Sequence, residues 1–359
     1  PSRAFSRHDV VTGPPQSTDG GGDDAGTRML PVLPDPLPPA APAAFHVLTK
    51  PTGAVCNLDC TYCFFLSKEA LYPGSKFRMT DETHEQYVRQ LIEAHQTEMV
   101  TIAWQGGEPT LMGLDFFRRT IELDDRYKRP GQVFEHTLQT NGTKIDEEWA
   151  AFFAEHRFLV GLSMDGPPDI HDAQRVDKGG AGTHEKVLQA ARRMTEAGAD
   201  FNILCTVHAV NGDRGREVYR YFRDEVGAKF VQFIPIIERA TPELLEIAEA
   251  GWGDSNKARP LYEQKGDLVT TRSIGEDQYG RFLVDVFEEW VRHDVGSVYV
   301  QMFEVALSNA VGGPPGLCIH TETCGRGPAL EHNGDLYCCD HFVESAYKLG
   351  NIHETHLVD

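Results

Sequence analysis

Six short β-rich runs alternate with helical stretches from about Phe45 onward. That alternation constrains the fold more than any other feature of the chain. The runs are 45–50, 100–104, 134–140, 159–164, 201–207 and 230–237. Between them lie stretches of helical period at about 81–97, 114–128, 146–156, 183–197 and 213–225. Cap signals mark helix starts at Thr80-Asp81-Glu82, Asp146-Glu147-Glu148 and Thr183. Such βα units imply right-handed crossovers and a parallel sheet. Six in succession predict an α/β fold, a partial (β/α)6 TIM-like barrel. Its chemistry belongs at the carboxyl ends of the strands.

Polar and glycine-rich words fall at those ends. Cys56-Asn57-Leu58-Asp59-Cys60-Thr61-Tyr62-Cys63 follows the first run, and Gln105-Gly106-Gly107-Glu108-Pro109 the second. Gln139-Thr140-Asn141-Gly142 ends the third and Ser163-Met164-Asp165-Gly166 the fourth. Three thiols within eight residues can converge on one metal centre and leave a coordination position open. A zinc knuckle or plain buried thiols are the alternatives. Zinc would want a fourth Cys or His, and neither His46 nor His84 has finger spacing. The adjacent glycines suit close approach of a ligand to the backbone. Glu108 could accept from an ammonium group, although a tight βα turn would account for the glycines alone.

The chain has 359 residues and a net charge of -20, which argues against non-specific nucleic-acid or anionic-membrane binding. It has no apolar run of about 18 residues, so no transmembrane helix is expected. Seven of the eight cysteines fall in two clusters, a pattern of metal binding in a reducing, cytoplasmic compartment rather than of disulfides. Residues 1–43, rich in Pro, Gly, Asp and Ala, read as a disordered extension. Residues 44–240 form the barrel, 241–313 a helical connection with helices at about 241–250, 276–293 and 299–310, and 314–359 a cysteine-rich segment. In that segment Asn333-Gly334 predicts a hairpin with a type I′ turn. The start at Pro1 and the stop at Asp359 read as those of a fragment.

The C-x3-C-x2-C loop after the first strand, the aromatic Tyr62 before its third Cys, and Gly106-Gly107-Glu108-Pro109 after the second strand resemble the radical S-adenosylmethionine enzymes. The resemblance covers about residues 43–240. It implies a 4Fe–4S cluster on Cys56, Cys60 and Cys63, with S-adenosylmethionine chelating the open iron. It further implies that Tyr62 lies against the adenine and that Gln105 and the Gly106, Gly107, Glu108 strip hold the methionine end. Asn141, Ser163 and Arg175 are further cofactor contacts by position, although Asn141 suits a turn and Arg175 a surface loop equally well.

Cys318-x5-Cys324, then Gly334-x4-Cys339, resembles the start of the SPASM extension, which binds auxiliary 4Fe–4S clusters; a zinc ribbon is the alternative. Within that group, Leu162-Ser163-Met164-Asp165-Gly166-Pro167 and Tyr337-Cys338-Cys339-Asp340-His341-Phe342 are similar to the anaerobic sulfatase-maturating enzymes. The similarity implies oxidation of a Cys or Ser in a Cys/Ser-x-Pro/Ala-x-Arg stretch of a sulfatase to Cα-formylglycine. Asp340 would be the base, one or two auxiliary clusters would accept an electron, and a flavodoxin or ferredoxin would be the donor. Only Cys318, Cys324 and Cys339 match the extension's ligands. Cys338 stands where proline is usual and faces away from Cys339 in an extended segment, and Cys205 reads as core. Two other readings stay open: a related peptide maturase forming thioether or carbon–carbon crosslinks, and a non-catalytic iron–sulfur or zinc adaptor, which would have no use for the glycine strip.

Overall fold

The structure, a computed structural model, describes residues 42–254, 256, 259–314, 316–322 and 327–359. The expected extension, up to residue 41, and Cys324 lie outside the described residues.

Strands β1 (Leu48–Lys50), β2 (Met99–Trp104), β3 (Val133–Thr140), β4 (Leu159–Ser163), β5 (Asp200–Val207) and β6 (Phe230–Pro235) stand side by side in chain order. Every neighbouring pair is parallel. Helices α1 (Asp81–Ala94), α2 (Leu114–Tyr127) and α3 (Glu147–Glu155) connect the first four strands. Two helices, α4 (Pro168–Gln174) and α5 (His184–Ala197), join β4 to β5, and α6 (Gly215–Tyr221) leads to β6. This is the mixed α/β architecture of a partial TIM-like barrel. It does not close on itself, because β1 and β6 pair with other strands.

Past β6 come β7 (Arg239–Ala240), α7 (Leu245–Glu249) and β8 (Leu268–Val269), with β7 and β8 paired antiparallel. Then α8 (Glu276–His293) crosses back to β9 (Tyr299–Val300), parallel to β6, and α9 (Gln301–Ala310) follows directly. Strand β10 (Ala329–Glu331) pairs parallel with the free side of β1. Strands β11 (Asp335–Tyr337) and β12 (Lys348–Asn351) extend the same sheet antiparallel. The cysteine-rich segment thus covers the edge that β1 would otherwise expose.

Local chemistry explains the elements. In α1 the Thr80 hydroxyl accepts from the Thr83 N–H at 3.1 Å, and Asp81 and Glu82 meet the positive helix end. Its buried Tyr87, Val88, Leu91 and Ile92 recur at helical spacing, and the Tyr87 ring packs 5.5 Å from Trp104 on β2. Asp146 caps α3 through the Trp149 N–H at 3.0 Å, as its sequence suggests. Thr183 does not cap α5. Asp172 does so instead, accepting from the N–H groups of Thr183 and His184 at 2.8 and 2.9 Å. The Thr183 hydroxyl donates to the Arg175 carbonyl at 2.9 Å. The β10–β11 hairpin forms as expected, with a different turn. Only Gly334 has positive φ, at 88°, and its N–H donates to the Glu331 carbonyl at 2.9 Å. A type I′ turn needs two such residues, so this is a three-residue loop with glycine at the left-handed position. Among the described residues, no helix is long and apolar enough to cross a membrane.

Candidate active site

The cysteine loop is held in place by α4 and the loop after it. Asp59 N–H donates to the Val176 carbonyl at 2.8 Å and Thr61 N–H to the Gln174 carbonyl at 3.0 Å. Leu58, Cys60 and Tyr62 are buried together, packed against Cys56, Cys63 and Ile236. None of the three thiols is in a disulfide. The Asn141 side-chain amide reaches the Cys56 sulfur at 3.6 Å and Asn57 Oδ1 at 2.9 Å, and the Leu58 N–H lies 3.4 Å from the same sulfur. Burial pushes all three thiols up, Cys60 to about 12, and the Glu108 carboxylate adds to the rise at Cys56. Such thiols stay protonated until a metal displaces the proton. Among the described residues, no three His, Cys, Asp or Glu side chains are placed to hold a single metal ion. The loop gathers the three thiols into one small apolar cluster.

The glycine strip runs along the same segment. Gln105, Gly107 and Glu108 donate their N–H groups to the carbonyls of Thr49, Gly53 and Val55 at 2.8, 2.8 and 3.0 Å. A Cβ on Gly107 would stand 2.0 Å from the Val55 carbonyl oxygen, directly before Cys56. Gly107→Ala should therefore force the cysteine loop off the strip, at a cost of about 1–3 kcal/mol. Thermal unfolding together with bound iron after reconstitution measures this, and a variant with unaltered iron and melting would remove the steric argument. Glu108 is buried, and burial raises its pKa. Its Oε1 accepts from Thr110 N–H, Thr110 Oγ1 and Thr140 Oγ1, and its Oε2 from Asn141 N–H, at 2.6–3.0 Å. The side chain thus braces β2 against β3, and its carboxylate is taken up by protein donors.

Behind the loop lies a charge network that sequence reasoning missed. Tyr62 donates its hydroxyl to Asp165 Oδ2 at 2.7 Å, and Arg175 Nε donates to the same oxygen at 3.0 Å. The Arg175 guanidinium sits over the Tyr62 ring, 5.5 Å from its centroid. Thr206 N–H donates to Asp165 Oδ1 at 3.0 Å. His208 is buried 3.9 Å from Asp165, and its Nε2 has no hydrogen-bond partner. Burial drives the Asp165 pKa up, but Arg175, the imidazoles of His208 and His171, and Tyr62 outweigh it and hold the carboxyl below its usual range. Arg175→Met would strand this carboxylate in the core. Denaturant unfolding should show a loss of about 3–5 kcal/mol, and a loss under 1 kcal/mol would mean that the pair contributes little. Ser163 ends β4, half-buried, opposite Leu204.

The C-terminal segment closes the site. Cys318 is exposed at the start of a short turn, and Cys339 is half-buried with its sulfur 3.9 Å from His341 Nδ1. Asp340 forms an ion pair with Lys50, the last residue of β1, across 290 positions of sequence. Burial raises the Asp340 pKa, but Lys50, His341 and Gln105 together bring it below the usual carboxylate value, so it is ionised at neutral pH. The Gln105 side chain is buried and faces Asp340. Beside these residues opens a cavity of about 410 Å³. Tyr62, Cys63 and Phe64 line it from the cysteine loop, Thr206 and Ile234–Glu238 from β5 and β6, and His341 and Phe342 from the C-terminal segment. Tyr262 and Gln264, from the stretch between α7 and β8, complete the wall.

The Radical SAM superfamily profile matches residues 51–222. The chain is 37% identical over 315 residues to the serine-type anaerobic sulfatase-maturating enzyme of Bacteroides thetaiotaomicron, an alignment covering 88% of this chain and 73% of that protein. It is 35% identical over 311 residues to the cysteine-type enzyme of Clostridium perfringens, covering 86% of this chain and 77% of the other. The solved structure of native anSMEcpe with bound AdoMet and Cp18Cys peptide superposes with a TM-score of 0.73 at 35% identity, covering 87% of this chain and 78% of that one.

Proposed function

The chain belongs to the anaerobic sulfatase-maturating enzymes of the Radical SAM superfamily, and from that premise we propose that it oxidises a Cys or Ser of a sulfatase polypeptide to Cα-formylglycine. One observation carries the reading to these residues. Asp340, far along the chain, is brought to the end of β1, and the two residues after it, His341 and Phe342, line a cavity together with the cysteine loop.

The family uses S-adenosylmethionine and a 4Fe–4S cluster. We assign the cluster to Cys56, Cys60 and Cys63, and the cofactor to Tyr62, Gln105, the Gly106–Glu108 strip, Ser163 and Arg175. When bound, the pair supplies a 5′-deoxyadenosyl radical able to remove a Cβ hydrogen from the substrate. The packing of Gly106 and Gly107 on residues 50–55, which sets the strip directly beside Cys56, supports this fit. We assign Asn141, whose amide reaches the Cys56 sulfur at 3.6 Å, to the same cofactor site.

The remaining steps fall to side chains. Asp340 takes the proton from the substrate thiol or hydroxyl. Phe64, Ile234, Ile236 and Phe342 give the cavity an apolar wall for the substrate to pack against. With a Cys substrate, loss of one hydrogen atom, one proton and one electron gives a thioaldehyde, which water converts to the aldehyde and hydrogen sulfide. A Ser substrate gives the aldehyde directly. Cys318, Cys324 and Cys339 would hold part of an auxiliary 4Fe–4S cluster, whose chemistry is to accept that electron. This division assigns residues 44–240 to the radical core and 314–359 to part of the SPASM extension. A flavodoxin or ferredoxin in the cytoplasm fits as donor.

The test is anaerobic. The reconstituted protein receives dithionite, S-adenosylmethionine and a peptide bearing Cys-x-Pro-x-Arg or its Ser counterpart. Release of 5′-deoxyadenosine and conversion of the peptide to formylglycine, read by mass spectrometry, are expected. Cofactor cleavage with a crosslinked or unaltered peptide would move the chain to a thioether- or carbon–carbon-forming maturase. Absence of cleavage would sink the enzyme reading altogether.

A further inference from the structure

We infer that Lys50 is a positioning residue, whose ammonium at the end of β1 fixes the Asp340 carboxylate in place beside the cavity. The inference rests on the reading of Asp340 as base. The Lys50 side chain is 2% exposed and Asp340 29%, so the cation lies deeper than the carboxylate it holds, and the next two residues, His341 and Phe342, line the cavity. Lys50 pairs with Glu331 of β10 in the sheet, and its carbonyl accepts from Gly53 N–H at 3.0 Å. Gly106 packs so closely on its stem that a Cβ there would come within 3.1 Å of Lys50 Cβ. Its ammonium lies 4.1 Å from the centroid of the Phe65 ring, two residues after Cys63. One side chain therefore touches the glycine strip, the cysteine loop and the acid.

The chain placement of Asp340 does not depend on this contact. Lys68 stands 3.7 Å from Glu344, and the hydroxyls of Tyr72 and Tyr337 bond at 2.7 Å, so both flanks of the 337–344 strap are anchored independently. What Lys50 adds is the orientation of one carboxylate. With Oδ1 held by the ammonium, the carboxylate does not turn freely. A buried ammonium needs such a partner, and a base displaced by an ångström loses much of its rate.

The experiment compares Lys50→Met, Lys50→Arg and Asp340→Asn with the parent, each reconstituted anaerobically and given a Cys-x-Pro-x-Arg peptide. Formylglycine formed per 5′-deoxyadenosine released is the first readout. Amide hydrogen exchange across residues 337–347, in reconstituted protein without S-adenosylmethionine, is the second. Lys50→Met should lower the product ratio by about tenfold or more, with strap exchange as in the parent, and Lys50→Arg should restore most of it. A parental ratio in Lys50→Met overturns the inference. So does a loss that comes with faster strap exchange and is not rescued by arginine, since that marks a merely structural lysine. If Lys50→Met does not fold, Lys50→Gln carries the same expectations. Asp340→Asn separates the two levels: a parental ratio there sinks the base reading, whereas a lost ratio there with a parental one in Lys50→Met sinks only the role of Lys50.

Discussion

Asp340→Asn is expected to stop formylglycine formation while 5′-deoxyadenosine release falls far less. Asparagine keeps the shape of the side chain and its place beside Lys50 but accepts no proton. Losing a positioned base commonly costs about 10²–10⁴-fold in rate, and the loss should appear in product per radical generated. Mass spectrometry of the peptide and chromatography of the nucleoside, on one reaction, measure both. Equal losses in the two would mean that the substitution damages radical generation, and unaltered product would remove Asp340 as the base. Lys50 would lose its countercharge in this variant. A modest drop in melting temperature is therefore expected alongside the chemical effect, and iron content should hold.

Cys60→Ala should abolish both activities. Cys60 is 7% exposed in the small apolar cluster of the loop, so alanine there is sterically mild. The chain should keep its circular dichroism and lose the visible absorption, iron and sulfide of the cluster after reconstitution. Cys205→Ala is the control. It removes an equally buried thiol, on β5, that donates weakly to the Asp165 carbonyl at 3.6 Å, and its iron content should match the parent. Iron and cofactor cleavage persisting in Cys60→Ala would show that the loop does not ligate the cluster.

Strand alternation and the C-x3-C-x2-C loop were legible because each is written locally: a period of two or of 3.6, and a spacing within one turn of chain. The catalytic end of the barrel followed from those two. What stayed hidden is set by distant pairing. A lysine at the end of a short strand before Pro51 looks the same whether it points to water or to an aspartate 290 residues on. Asp165 sat inside a word read for its serine, yet it collects Tyr62, Arg175 and Thr206. The α5 cap came from Asp172 on another helix, a substitution of one short acceptor for another that no local pattern records. The hairpin was foreseen, but its seat beside β1 was not, because register between strands so far apart is a tertiary matter.

That seat bears on how the protein comes into being. Leu48 on β1 pairs with Ala329 on β10, so the chain must be made through Ala329 before β1 gains its second neighbour. Contacts of such long sequence separation form late and slowly. The loop with its three thiols and its anchors at Gln174 and Val176 are made long before, while the strap with Asp340 arrives only when β10 docks. The order of synthesis thus separates the part that would generate a radical from the part that would direct it, and a chain interrupted before β10 would carry the first without the second.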